Sequence, residues 1–194
     1  MDYRADRMNT LIINTFLDCL ETESFPDLTV GKLAEKARIN RSTFYRHFED
    51  KYQLRDYIVD STVSFFVSNL EVDFLDLDIY QNSRYTTVLK NSLIKFYTQK
   101  RVWNILWNHP LLGRNVFEEM VNAGSEKIER GILAHKNISP EKKEFADWYA
   151  KLLINNMLVT IRWWFSHSGL VSAEEVTVMI KAHMISGTIP TLKK

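Results

Sequence analysis

The stretch that decides the fold is residues 29–54, TVGKLAEKARINRSTFYRHFEDKYQL. Its first helical pattern opens at Thr29, whose hydroxyl can accept a hydrogen bond from a backbone N–H at a helix start. Apolar residues then follow at i, i+3, i+4 and i+7 from Val30. A second pattern begins after Asn40, another good helix-capping residue, and a third helix starts near the end of the stretch. Two short helices and a tight connection are typical of a helix-turn-helix, which places its second helix in a groove of DNA.

The second helical pattern has an apolar side and a polar side. Phe44 and Phe48 lie four residues apart, so their rings share one stripe that can bury against Leu33 and Ile39. The opposite side carries hydroxyls, a phenol and guanidinium groups, on Arg41, Ser42, Thr43, Tyr45 and Arg46. Groups of these kinds form hydrogen bonds with base edges and phosphates.

Positive charge is concentrated in the same region. Residues 29–55 contain seven Lys or Arg and three acidic residues, a net charge of +4, whereas the whole chain carries +1. Asp50 is placed to cap the third helix, and Lys51 falls in its first turn, where the helix macrodipole does not favour a cation. A nearby phosphate would explain that placement. A local basic patch on a nearly neutral protein suits a site-specific DNA-binding protein better than a general DNA-coating protein.

These residues resemble the N-terminal domain of the TetR family of bacterial regulators. The resemblance covers roughly residues 5–60 and is carried by the Thr29-Val30 opening, Leu33-Ala34, Ala37, the string STFYRHF at 42–48, Lys51 and Leu54. The family usually has Gly where this chain has Arg38, in the turn between the two helices. Gly adopts the left-handed conformation without steric cost, so we expect Arg38 either to bear a strain of about 1 kcal/mol or to use a slightly different turn.

The resemblance also implies roles for individual residues. Arg41, Ser42 and Tyr45 are expected to contact bases, with Arg41 best suited to a guanine edge. Phosphate contacts are expected from Thr29, Asn40, Thr43, Tyr45, His47 and Lys51, and Arg46 completes the expected DNA-binding set. Four of these assignments have an alternative. Thr29 and Asn40 could serve only as helix caps, His47 could be a surface histidine without a DNA contact, and Arg41 could be a solvated charge. Capping and phosphate binding can coexist, because backbone N–H groups at helix starts bind phosphate.

Composition bounds the remaining classes. At 194 residues and 45% hydrophobic content, the chain is long enough for a small DNA-binding domain and one larger helical domain. Cys19 is the only cysteine, so no intrachain disulfide is expected. No export signal is seen either, and we therefore expect the protein to lie in the reducing cytoplasm. The histidines at 109, 135, 167 and 183 have no metal-ligand spacing, so we expect no metal or cofactor. We also expect no enzyme, because there is no Gly-rich phosphate loop, nucleophile elbow or paired-His motif. The most apolar run, residues 152–165, is too short and too polar to span a bilayer.

The sequence pattern predicts helices over the rest of the chain, and it contains no strand pattern. The periodicity predicts helices over 4–22, 51–70, 86–100, 102–108, 113–135, 140–168 and 173–188, with an acidic loop over 71–84. Ser139 followed by Pro140, and the capping box of Ser172 with Glu175, mark two of the helix starts. We therefore predict an all-α fold: a helix-turn-helix domain over 1–50, a connecting helix over 51–70, and a larger helical domain over 71–194 for effector binding and dimerisation.

The predicted helix over 140–168 suggests how the larger domain assembles. Between Phe145 and Phe165 apolar residues occur on every side, and such a helix must be covered on every side. One side can pack on its own domain and the other on a second copy, which together with the last helix would build a four-helix dimer contact. The resemblance implies the same arrangement. The alternative is a helix fully internal to a monomer. A twofold dimer would place two recognition helices about 34–36 Å apart, facing successive major grooves of a near-palindromic operator.

Aromatic residues of the second half suggest a ligand. Rings suited to enclosing a small apolar or aromatic effector are supplied by Phe96, Trp103, Trp107, Phe117, Trp148 and Trp163, with plain core as the alternative for each. The sequence thus predicts a homodimeric, sequence-specific DNA-binding repressor that such an effector releases from its operator. In the alternative interpretation, the C-terminal domain docks a protein partner or serves a non-transcriptional DNA-binding role.

Overall fold

The computed structural model describes residues 3–71, 83–109 and 111–186, and within these ranges the chain is helical without strands. This confirms the predicted all-α fold. The elements are α1 (Tyr3–Leu20), a 3₁₀ turn (Phe25–Asp27), α2 (Val30–Lys36), α3 (Arg41–Tyr45), α4 (Lys51–Ser68), α5 (Ser83–Thr98), α6 (Lys100–Asn108), α7 (Val116–Ala134), α8 (Pro140–Lys143), α9 (Ala146–His167) and α10 (Ala173–Ser186).

Three helix starts are fixed by the side chains that the sequence pattern singled out. The Thr29 hydroxyl accepts the backbone N–H of Lys32 at 3.2 Å at the start of α2. Asp50 Oδ1 accepts two backbone N–H groups in the first turn of α4, each at 2.8 Å. Ser172 and Glu175 exchange hydrogen bonds at the start of α10, as a capping box does. Each of these bonds satisfies a donor that a helix terminus leaves without an intrahelical partner.

Helix boundaries differ from the prediction by a few residues at several ends; α7, for example, begins at Val116 rather than at 113. Two further differences concern the division of the chain into elements. The helix expected over 140–168 is two helices, because the chain leaves helical geometry at Phe145, with φ −107° and ψ 17°. The four residues of α8 bury no side chain, so no packing holds them in line with α9. Second, α5 begins at Ser83, within the segment that was expected to be a loop. Residues 72–82 of that loop, and 187–188 of the expected last helix, lie outside the described residues.

The chain divides into two compact units. The first contains the chain up to residue 62 together with residues 101–116, and the second contains residues 63–100 and the chain from 117 onward. The division therefore falls inside α4. Most of α6 belongs to the first unit although it lies some forty residues further along the chain.

The first unit is built around a core to which α1, α2, α3, α4 and α6 all contribute. Its fully buried side chains include Phe16, Leu33, Phe44, Leu54 and Trp103. Polar contacts add to this packing at the segment that follows α6. Arg114 pairs with Asp56 at 3.3 Å and with Asp60 at 2.8 Å, both on α4. The segment after α6 is thus fastened to α4 within this unit.

The second unit surrounds one side of α9. Phe66, Phe96, Leu158, Ile161 and Phe165 are buried there. Gly124 of α7 permits a close approach, because a Cβ atom at that position would lie 2.8 Å from a ring carbon of Phe66. Helix α10 packs against α5 and α9. Within the described ranges, no helix combines the length and the hydropathy needed to cross a membrane.

Candidate nucleic-acid interface

Helix α3 is held from below by two phenylalanines. Phe44 is completely buried and Phe48 nearly so, with ring centroids 6.1 Å apart, as the spacing of the two residues predicts. The opposite side of α3 is exposed, and its largest side chain, Tyr45, is 55% exposed although its ring packs edge-on against Phe44 at 5.9 Å. The buried rings fix the axis and rotation of α3, so the exposed side chains start from a rigid base.

The exposed side of α3 presents the groups expected from the sequence. Arg41, Ser42, Tyr45 and Arg46 are exposed and Thr43 is half-buried. We call these five residues the α3 surface. One guanidinium N–H of Arg46 donates to the hydroxyl of Thr43 at 3.0 Å, which orients this arginine along the helix. The α3 surface therefore combines two cations, two hydroxyls and a phenol, all of which can form hydrogen bonds with bases or phosphates.

The connection between α2 and α3 contains a residue in a strained conformation. Arg38 has φ +54°, in the left-handed region that glycine favours. Of the two expected outcomes, the strained one is observed. This conformation reverses the chain sharply, and the N–H of Ile39 then donates to the carbonyl of Ala34 at 2.9 Å, closing the end of α2. Because this reversal sets where α3 begins, the backbone conformation of Arg38 determines the orientation of the α3 surface relative to α2.

The two residues with alternative capping roles behave differently. The Thr29 hydroxyl accepts a backbone N–H, but it keeps its own proton and can still donate it to a phosphate. Asn40 occupies the position before α3, yet its side chain makes no capping hydrogen bond. The Asn40 amide is exposed, so it is free to contact DNA. The DNA contacts of both residues stay predictions.

His47 is anchored to α1. Its Nδ1 lies 2.7 Å from Oδ1 of Asn9, so the ring is oriented by a residue 38 positions earlier, and Nε2 is the nitrogen left for a phosphate. The phosphate contact stays a prediction. Among the described ranges, no group of three or more His, Cys, Asp or Glu side chains is arranged to hold a metal ion.

Lys51 has a structural role that the sequence did not indicate. Its ammonium donates to three backbone oxygens, those of Phe25, Pro26 and Leu28, at 2.9, 2.8 and 2.7 Å. Burial lowers the pKa of the Lys51 ammonium, although Asp27 nearby raises it. These carbonyls explain why a cation is tolerated at the start of α4, where a phosphate had been expected. The phosphate contact of Lys51 stays a prediction, and it would require the ammonium to leave at least one of the three oxygens.

A second set of contacts holds α2 in place. Glu23 accepts hydrogen bonds from Lys32 at 3.0 Å and from Lys36 at 2.9 Å. The Lys36 bond, followed by the Lys32 bond, holds the pKa of the Glu23 carboxyl below its ordinary value. This three-residue cluster was missed in the sequence because Glu23 lies 9 and 13 positions before the two lysines and outside their helix. Because the Glu23 carboxylate pairs with both lysines, it partly neutralises their positive charge in this region.

A second surface of interest lies on α9, in the other unit. Trp148 and Val159 are 54% and 57% exposed, and Leu152 and Trp163 are also exposed. At 3.6 residues per turn these four side chains fall within an arc of roughly 60°. We call this set the α9 stripe. The opposite side of α9 is buried in the same chain. Because the stripe is exposed, α9 is not fully internal within one copy, as the monomer alternative would require.

The aromatic residues expected to bind an effector do not form one group. Trp103 and Trp107 are buried in the first unit, with ring centroids 5.2 Å apart, whereas Trp148 and Trp163 lie on the exposed α9 stripe. Phe117 is half-buried and its ring lies under the guanidinium of Arg162. Only Phe96 among the six contributes to the wall of the cavity in the second unit. Their ligand contacts stay predictions.

That cavity has a volume of about 50 Å³ and a largely apolar wall. Lining residues come from the end of α4 and from α5, α7, α9 and α10, and include Leu70, Phe96, Ile128, Leu153 and Met184. Polar groups on the wall include Ser92 and Asn156. In the described conformation the cavity is smaller than the roughly 300–1,000 Å³ of common small-molecule pockets.

Comparison with known proteins gives the following matches. Residues 12–58 match the model of the family described as bacterial regulatory proteins, tetR family. No curated protein matches the chain in sequence. Among solved structures, a TetR transcriptional regulator from Streptococcus agalactiae 2603V is 17% identical with a TM-score of 0.58, over 93% of this chain and 95% of that one. NalD, the secondary repressor of the MexAB-OprM multidrug efflux pump in Pseudomonas aeruginosa, is 14% identical with a TM-score of 0.67, over 94% and 97%. These likenesses show the fold.

Proposed function

We propose that this chain, whose residues 12–58 match the family described as bacterial regulatory proteins, tetR family, is a DNA-binding transcriptional regulator and acts as a homodimeric repressor. Each subunit uses its α3 surface to contact one half of a near-palindromic operator. A small apolar or aromatic effector binds the second unit and releases the operator. The observation that carries this proposal is the α3 surface, because it exposes hydrogen-bonding and cationic groups on a helix whose other side is locked into the core.

Base contacts are assigned to Arg41, Ser42 and Tyr45. A guanidinium can donate two hydrogen bonds to the O6 and N7 atoms of guanine, which is the most common specific contact in the major groove. Phosphate contacts are assigned to Thr29, Asn40, Thr43, Tyr45, His47 and Lys51, and Arg46 completes the DNA-binding set. Phosphate contacts fix the register of a protein on the duplex, and base contacts select the sequence.

Dimerisation is assigned to the α9 stripe together with α10. Exposed tryptophans, leucine and valine along one side of a helix cost free energy in water, and a second copy can cover them. Val178 and Met179 of α10 are exposed as well, so two helices from each subunit can form the contact. A twofold axis then presents two α3 surfaces to the DNA, and their separation must match about one helical turn, roughly 34–36 Å.

Effector release is assigned to the cavity of the second unit. Asn69 and Leu70 directly follow α4 and line this cavity, while the first residue of α4, Lys51, is fixed to the turn before α2. Because this cavity is smaller than common small-molecule pockets, a drug-sized ligand must displace its wall. Met157 and Met184 line the cavity, and their unbranched side chains can adapt to such a ligand. Displacement of the wall at Leu70 would then move α4. Release follows if the effector binds more tightly to the conformation in which the two α3 surfaces are wrongly spaced, since equal affinity for both would change nothing.

The small size of the cavity also favours a second candidate function for the larger domain. A domain that binds no small molecule can still regulate by docking a protein partner, or the chain can serve a non-transcriptional DNA-binding role. The two candidates share the α3 surface and differ in what changes operator affinity. A small apolar compound that weakens operator binding in a saturable way supports effector release, whereas the docking candidate predicts no response to any such compound.

Selection of bound duplexes from a random pool tests the shared part of the proposal. We expect the recovered sequences to contain an inverted repeat. Arg41→Ala should then weaken binding to the selected operator by about 1–3 kcal/mol and binding to random DNA much less. Arg130→Ala is the matched control, because Arg130 is an exposed arginine of α7 in the other unit. If Arg41→Ala weakens operator and random DNA equally, Arg41 does not contact bases.

A further inference from the structure

Gly31 is the second residue of α2, and its backbone does not require glycine. Its φ lies outside the positive region, so any residue could adopt the same conformation. Glycine is also a poorer helix former than alanine. The reason for a glycine here must therefore lie in the space around it rather than in the chain conformation.

The space above Gly31 is occupied by the guanidinium of Arg41. A Cβ atom built on Gly31 would lie 2.6 Å from Nη2 of Arg41, 3.2 Å from its Cζ and 3.4 Å from its Nε. Three atoms of one planar group within 3.4 Å mean that the guanidinium rests against the backbone of α2. Arg41 is the first residue of α3, so this contact crosses from one helix of the helix-turn-helix to the other.

We propose that Gly31 is a positioning residue that orients Arg41 for base contact. The inference rests on the base-contacting role assigned to Arg41 in the proposed function. A guanidinium is a planar fork, and its value in base recognition depends on presenting two N–H donors at a fixed angle. Contact with the backbone at Gly31 restricts the rotamers of Arg41 before DNA binds, so less side-chain entropy is lost on binding.

Even one methyl group at position 31 would disturb this arrangement without disturbing the fold. The atoms that a Cβ would meet belong to the far end of a flexible side chain, and Arg41 is an exposed residue, so its guanidinium can move away into solvent. Alanine also suits a helix better than glycine does. We therefore expect Gly31→Ala to keep or raise the thermal midpoint while it removes the rotamer restriction on Arg41.

The test is a double-mutant cycle on the operator recovered by selection. Arg41→Ala should weaken operator binding about 5- to 150-fold, the range for one bidentate arginine–guanine contact. Gly31→Ala should fall between the unsubstituted chain and Arg41→Ala for the operator, and should leave random DNA unchanged. In the Arg41→Ala background, Gly31→Ala should have no further effect, because there is no guanidinium left to displace. Gly169→Ala is the matched control, since nothing lies within 4 Å of a Cβ atom there.

Two results would overturn the inference while leaving the proposed function intact. The first is that Gly31→Ala binds the operator as tightly as the unsubstituted chain. The second is that Gly31→Ala weakens binding equally with and without the Arg41 guanidinium, which would mean that it acts by another route. A chain that shows no preference for any duplex gives a different result, because the unsubstituted protein then fails as well and the proposed function falls together with this inference.

Discussion

Replacing Arg38 with glycine should stabilise the protein, because Arg38 holds a left-handed backbone at φ +54°. That conformation costs a residue with a Cβ atom about 1–2 kcal/mol. Glycine avoids this cost but loses more conformational freedom on folding, which opposes it by about 0.5–1 kcal/mol. The net expectation for Arg38→Gly is a gain of about 0.75 kcal/mol, the difference between the midpoints of these two ranges. The Arg38 side chain is exposed and makes no hydrogen bond or ion pair with the described residues, so its removal should subtract nothing from this gain.

The assay is guanidinium chloride unfolding of three variants, compared by their midpoints at constant slope. Arg38→Ala is the matched control, because it removes the same guanidinium and keeps the Cβ atom, and it should leave stability unchanged. Arg38→Asn should lie between, since asparagine tolerates the left-handed region better than most residues do. The reasoning is refuted if Arg38→Gly gives no gain, or if Arg38→Ala gains as much as Arg38→Gly. The second outcome would place the effect in the side chain rather than in the backbone.

Three further predictions concern the dimer, the first unit and its pH dependence. Leu152→Arg places a charge within the α9 stripe and should raise the dimer dissociation constant, measured by sedimentation equilibrium, by on the order of 100-fold. Leu133→Arg is the control, because Leu133 is an exposed leucine of α7, and it should leave the dissociation constant unchanged. Equal effects of the two variants would show that the stripe is not part of the interface. Lys51→Met deletes three hydrogen bonds to carbonyl oxygens and should lower the free energy of unfolding by about 1–3 kcal/mol. An unchanged free energy of unfolding would show that these bonds do not contribute to stability. Hydrogen bonds from Arg55 and then Arg114 hold the pKa of Asp56 below its ordinary value of 3.8, so its contribution should be present at neutral pH and be lost as the pH falls below that value. Unfolding curves of Asp56→Asn should then show a smaller loss of stability in acid than the unsubstituted chain, and parallel losses would contradict the assignment.

The local features of the helix-turn-helix could be predicted because each depends on residues close in sequence. Phe44 and Phe48 are one helical turn apart, so their shared burial follows from helix geometry. The caps at Thr29 and Asp50 depend on backbone groups two or three residues away. The strain at Arg38 was one of two expected outcomes, because a turn of this length needs a left-handed residue whether or not glycine supplies it.

Features that depend on distant contacts could not be predicted. Lys51 donates to carbonyls 23 to 26 positions earlier in the chain, and sequence spacing does not reveal such bonds. The membership of residues 101–116 in the first unit follows from tertiary packing of α6 and from pairs such as Arg114 with Asp60. The break at Phe145 was also missed, because residues 141–146 contain no Gly or Pro that would mark the end of a helix. In the structure α8 buries no side chain, so packing does not hold it in line with α9. The role of Gly31 depends on where one rotamer of Arg41 lies.

The central claim is that two joined subunits place two α3 surfaces in successive major grooves. It is tested most directly by measuring affinity and stoichiometry on the selected operator and on one with about five base pairs, half a helical turn, inserted between the half-sites. The account predicts two chains on the original duplex, and a fall in affinity on the altered one to the level of a single half-site. One chain per duplex, or an affinity that does not change with the insertion, would contradict it.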